Sequence, residues 1–235
     1  MAAEPKIVAA FLTVVAIALT PREAIWAFGV YAVSLVALVR IARIPYGFVM
    51  TRLVAVAPFV VFALFIPFVA GGERTEVIGV SVSIEGLWGA WNIYAKALLG
   101  ASVSILLTAT TEVSDVVRGL GVLRVPAVLT SIALFMVRYL ELIADELGRM
   151  RVAMSARGYD PRWLSQVRPI ANSAGALFVR SYERGERVHA AMLSRGFSGT
   201  MPALRHPTAT ATNWYAVILV TGAFWVIAVG AMVVA

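Results

Sequence analysis

Long apolar runs separated by short polar breaks occupy both ends of the chain, and their lengths predict helices that cross a membrane. Five spans are predicted: Ile7–Leu19, Ala24–Val39, Leu53–Ala70, Leu87–Leu107 and Trp214–Val234. The first is short and follows Lys6, as a secretory leader would. Thr20-Pro21-Arg22-Glu23 offers no small-x-small cleavage site, however, so this run is expected to stay and to form a hairpin with the second. Pro58 and Pro67 are expected to kink the third span. The glycines and alternating residues between Gly71 and Ile84 predict a short external hairpin, and Trp88 and Trp91 suit the outer interface just after it. Lys96 falls inside the fourth span, where a cation must snorkel or face protein.

A different pattern runs from Ala127 to Gly199. Tyr139, Leu140, Ile143, Leu147, Met150 and Met154 recur at three- and four-residue steps, an apolar stripe on one helix face, opposite Glu141, Asp145, Glu146, Arg149 and Arg151. That helix closes on Ala156-Arg157-Gly158 and is followed by Tyr159. A second, less cleanly amphipathic run carries Leu177, Phe178, Val188, Ala191 and Met192 and closes on Ser194-Arg195-Gly196, followed by Phe197. Glycine just past a helix is a left-handed stop, and arginine in a last turn suits the negative end of the dipole. A single such end would be unremarked; two copies, each after an amphipathic helix and before an aromatic, form a motif. The chain thus divides into spans one to four over 1–113, with the external hairpin near 71–86, a cytoplasmic domain over 114–209, and a final span over 210–235.

Composition narrows the function. Of 235 residues 60% are hydrophobic, and the mean hydropathy is +0.85, which implies an all-α polytopic membrane protein. No cysteine is present, so a thiolate metal site and a disulfide framework are both excluded. His189 and His206 lack metal-ligand spacing, and no metal site is expected. The net charge of +7 would raise nucleic-acid binding, but 13 of the 20 Lys and Arg lie between Ser114 and Arg205, beside apolar spans. That placement fits retention in the cytoplasm, with the N terminus inside and the C terminus outside. Asp115, Glu141, Asp145, Glu146 and Glu183 sit at helix-pairing distances from arginines, which points to ion pairs and away from catalysis. No phosphate loop occurs.

The doubled motif resembles the transmembrane T component of energy-coupling factor transporters, the CbiQ/EcfT family, with the cobalt and nickel type most similar. The resemblance is carried by Leu177-Phe178-Val179-Arg180-Ser181-Tyr182-Glu183-Arg184, by Ala190 through Phe197, and by Thr108 to Glu112 with Leu120, Val125-Pro126 and Arg138-Tyr139. It covers roughly 107 to 199. Ser194 stands where alanine is commoner, and serine is also small.

The resemblance implies about five transmembrane helices plus long cytoplasmic coupling helices, in a multi-pass protein of the cell membrane that is not itself an enzyme. It implies two ABC-type ATPase subunits as partners, identical or different, which hold the ATP and Mg while this chain binds no cofactor. It further implies a substrate-binding membrane subunit and import of cobalt, nickel or a vitamin. Ala156, Arg157, Gly158, Ser194, Arg195 and Gly196 would contact the ATPases; Leu140, Ile143, Leu147, Met150, Met154 and Met192 would either pack the helices together or meet the substrate-binding subunit. The clustered arginines leave a second reading, a membrane-embedded lipid-modifying enzyme with a basic head-group site. A metal channel acting alone is disfavoured because the spans lack a polar lining.

Overall fold

The computed structural model describes residues 2–71, 74–77, 80–159, 167–199 and 210–234. The chain is all-α and polytopic, apart from one small antiparallel ribbon. In order come α1 (Ala3–Leu19), α2 (Ile25–Ile41), α3 (Tyr46–Leu53), a 3-10 turn (Val54–Val56), α4 (Ala57–Val69), β1 (Arg74–Val77), β2 (Val80–Ser83), α5 (Ile84–Thr110), α6 (Val113–Val122), α7 (Ala127–Ala156), α8 (Arg168–Leu193) and α9 (Ala211–Val234). The strands pair from Arg74 with Ser83 to Val77 with Val80. Four helical stretches are long and apolar enough to cross a membrane: Tyr46–Val69, α5, α7 and α9; α2 is apolar but shorter. Two compact units divide the chain, Met1–Gly119 with Pro207–Ala235, and Leu120–His206.

The third span begins at Tyr46, seven residues before the expected Leu53, and its polar residues make local contacts along the helix. Thr51 donates its hydroxyl back to the Gly47 and Phe48 carbonyls, and the Arg52 guanidinium lies 4.2 Å over the Phe48 ring. Pro58 falls in the first turn of α4, just after the 3-10 turn, where its missing N–H costs nothing, whereas Pro67 lies inside the helix.

In the first unit α1 packs against α5 and α9, and α5 packs against α4. Small buried residues, Ala16, Ala27, Ala95, Ala228 and Ala231, let the backbones approach, with Ile17, Phe28, Leu99 and Phe224 filling between them. Tyr31, fully buried, stacks on Phe224 at 5.2 Å; its hydroxyl lies 3.1 Å from that of Thr20 and donates to the Phe224 carbonyl. It thereby ties the α1–α2 turn to α9.

The chain has two lysines, and each answers a carbonyl at the C-terminal end of the other's helix. Lys6 of α1 donates to the Thr110 carbonyl at the end of α5 (2.8 Å), and Lys96 of α5 donates to the Ala18 carbonyl at the end of α1 (2.8 Å). Those carbonyls have no intrahelical partner and attract cations. Lys96, a cation inside an apolar span, is therefore spent on protein.

In the second unit α7 and α8 run antiparallel. Ser173 donates to the Met154 sulfur at 3.4 Å, Arg180 to Glu146 at 2.6 Å, and Phe135 and Tyr139 share a crevice with Val188 and Met192. Glu146 also accepts from Arg149 at 3.0 Å. These two guanidinium bonds hold its carboxyl below the usual carboxylate range. No residue of either helix is buried.

Two outcomes follow from this packing. A Cβ at position 86 would meet Pro67 Cα at 2.7 Å and the Ile66 carbonyl at 3.0 Å, both backbone atoms, whereas one at 89 would meet only a methyl at 3.7 Å. Gly86→Ala should therefore cost about 1–3 kcal/mol and lower the thermal midpoint in detergent, while Gly89→Ala leaves it unchanged. Because the Glu146 carboxyl is depressed, its clasp is fully present above the ordinary value of 4.5 and is lost as pH falls through the lower folded-state value. Spin labels on α7 and α8 should show a distance distribution that broadens on acidification, and Glu146→Gln should broaden it at neutral pH.

Candidate functional site

The two arginine-glycine motifs close their helices with the same hydrogen bonds. On α7, Arg157 N–H donates to Met154 O (3.1 Å), Gly158 N–H to Ser155 O (3.0 Å) and Tyr159 N–H to Met154 O (3.1 Å). On α8, Arg195 N–H donates to Met192 O, Gly196 N–H to Leu193 O and Phe197 N–H to Met192 O, each at 3.0 Å. This is the paired 6→1 and 5→2 closure, and it needs a residue at positive φ. Gly158 and Gly196 supply it at +77° and +81°, as the glycine-stop expectation required. A Cβ at either would meet nothing within 4 Å, so backbone conformation alone demands glycine there.

Ala156, Arg157, Gly158, Ser194, Arg195 and Gly196 are all exposed. Among the described residues neither Arg157 nor Arg195 makes an ion pair. The Ser194 hydroxyl folds back to donate to the Ala191 carbonyl at 3.0 Å, so serine at this place presents a small surface with its polar group already satisfied. Because the helices are antiparallel, the tips lie at opposite ends of the pair. Met192, three residues before Arg195, shares the crevice with Phe135, and Arg157 lies 22 residues beyond Phe135 on α7; at about 1.5 Å per residue the tips are roughly 30 Å apart.

The expected apolar contact residues divide by environment. Ile143 and Met192 line the α7–α8 crevice, a space of about 370 Å³, and Met154 accepts from Ser173 at the start of α8. Leu147 and Met150 are partly covered, and Leu140 is two-thirds exposed. The crevice also takes Phe135, Met136, Ser181 and Arg184. Among the described residues no three His, Asp or Glu side chains assemble as a metal site.

Sequence reasoning missed two features. Glu146 was assigned to pairing along its own helix, and its bond to Arg180 crosses 34 positions to the other helix. Two further helix ends, after α2 and α6, use the same 6→1 closure with arginine in the left-handed place: Arg43 at φ 56° and Arg124 at φ 68°. Their shared signal is Arg-Ile-Pro and Arg-Val-Pro.

Several known proteins are similar to this chain. A cobalt transport protein, CbiQ, of Rhodobacter capsulatus is 31% identical over 129 residues, 54% of this chain and 52% of the relative. The energy-coupling factor transporter transmembrane protein EcfT of Streptococcus thermophilus is 30% identical over 126 residues, 49% of this chain and 48% of the relative. An uncharacterized protein of Methanocaldococcus jannaschii, MJ1089, is 24% identical over 134 residues, 56% and 50% of the two chains. The chain spans about half the length of the curated relatives it matches. The family profile for CbiQ, described as cobalt transport protein, matches residues 1–207. With most of its length inside that profile, this multi-pass membrane chain belongs to the CbiQ cobalt transport protein family.

Proposed function

We propose that the chain is the energy-coupling transmembrane subunit of an ATP-driven uptake transporter. In this reading it links two cytosolic ABC-type ATPase subunits, which hold ATP and Mg, to a substrate-binding membrane subunit for cobalt, nickel or a vitamin. One observation carries the reading: a helix pair with no buried residue ends at both extremities in the same exposed arginine tip. A pseudo-symmetric ATPase pair calls for two equivalent contacts that bear load and hold orientation. A guanidinium meets an acidic groove with a forked, permanently charged donor, and the small neighbours Ala156, Gly158, Ser194 and Gly196 let that groove close on the helix end.

The same geometry supports a cytoplasmic place for the pair; five crossings by the other helices would then put the N terminus inside and the C terminus outside. By length and composition α7 could cross a membrane. Yet from Phe135 to Met154 it is paired with α8, which brings Arg180, Glu183, Arg184, Glu186 and Arg187 to that stretch. Such charge is costly in hydrocarbon. Residues 127–134 lie before that paired stretch, and at about 1.5 Å per residue they are too short to cross. The exposed apolar side chains Val128, Leu129, Ile132, Met136 and Leu140 then form a surface for the bilayer or the substrate-binding subunit.

Reversing both tips tests the proposal. Arg157→Glu or Arg195→Glu alone should weaken retention of the ATPases by about tenfold or more. The double variant should abolish uptake while still inserting in the membrane, and Arg→Lys at both sites should recover only part of the activity. Unchanged ATPase association and uptake in the double reversal would refute the proposal.

A further inference from the structure

A cavity of about 430 Å³ lies within the first unit, walled by α1, α2, α5 and α9. Its size falls in the range of roughly 300–1,000 Å³ typical of small-molecule sites. Leu38, Leu106, Val217 and Val220 make it apolar, and Ala9 and Ala10 of α1 leave the space that larger side chains would fill. One cationic side chain stands in the wall, Lys6. Its ammonium donates to the Thr110 carbonyl and, at 3.4 Å, to the Thr111 hydroxyl, which leaves a third N–H uncommitted. Asp115, on α6, is paired with Arg118 at 3.2 Å.

A second cation lies close by in sequence. Ala42 closes the wall at the end of α2, and the next residue is Arg43, held at φ 56°, where glycine would sit without strain. An apolar groove between membrane helices, with a lysine in its wall and an arginine next in sequence to a wall residue, is complementary to a single amphiphile: a greasy chain inside and a phosphate at the cationic end.

We propose that this cavity binds the acyl chain of an anionic phospholipid, with its phosphate at Lys6 and Arg43. The inference concerns the membrane unit alone and stands whether or not the arginine tips meet ATPases. The test is native mass spectrometry of the detergent-purified full chain, offered phosphatidylglycerol or phosphatidylcholine vesicles, or glycerol phosphate as a soluble head-group probe.

The wild type should retain one phospholipid per chain and prefer the anionic one about thirtyfold, the factor expected of two nearby cations. Ala9→Phe should expel it, and Ala216→Phe, filling the space from α9, serves if the first variant does not fold. Lys6→Gln should keep the lipid and lower the preference to about fivefold. Arg43→Gly should raise the thermal midpoint by relieving the left-handed strain and yet reduce the preference, a combination that a purely structural arginine would not give. Absence of retained lipid in the wild type, retention undiminished by a folded cavity-filling variant, or glycerol phosphate binding as tightly as the lipid would overturn the proposal.

Discussion

The antiparallel clasp of α7 on α8 through Glu146 sets everything the candidate site can do. One carboxylate accepts from Arg149 on its own helix and from Arg180 on the other, so the register of the two helices is fixed by charge where no buried core exists to fix it. With that register, Arg157 and Arg195 stand at opposite ends of a pair about as long as a small domain is wide. A slip of one turn would move the tips by ~5 Å relative to each other. The ion pair is exposed on its arginine sides and contributes orientation more than stability.

The membrane unit is held by a different arrangement. Its long-range polar contacts among the described residues include the reciprocal lysines, each satisfying a carbonyl at the end of the neighbouring helix, and the Tyr31 hydroxyl between the α1–α2 turn and α9. Unsatisfied helix ends are expensive away from water. Meeting them from within allows α1, at 17 residues and about 25 Å, to be shorter than its neighbours α5 and α9. Small residues then let the helices pack closely, and where they do so without a side chain to fill the gap, as at Ala9 and Ala10, space remains for a ligand.

Much of this was legible in the amino-acid pattern. The three- and four-residue steps of Leu147, Met150 and Met154 predict a helix, and Gly158 and Gly196 predict how the two helices stop, because a 6→1 closure has a local chemical signature. The all-α membrane class follows from hydropathy. What was not legible depends on pairs distant in sequence: Glu146 with Arg180, Lys6 with Thr110, Tyr31 with Phe224. The start of the third span at Tyr46 was missed for a local reason, since Thr51 and Arg52 look like a loop until Thr51 is seen to bond back within the helix and Arg52 to lie over the Phe48 ring. Arg43 and Arg124 were missed because arginine rarely adopts positive φ.

The central claim is that the two helix tips meet two different motor subunits at the same time. Cysteines at Ala156 and Ser194, the small residues beside the two arginines, would report this directly by crosslinking in the assembled transporter. The account predicts a single product in which one copy of this chain is joined to two ATPase subunits, one through each cysteine. Both cysteines joining the same subunit, or either one being labelled from the external face of the membrane by an impermeant reagent, would contradict it.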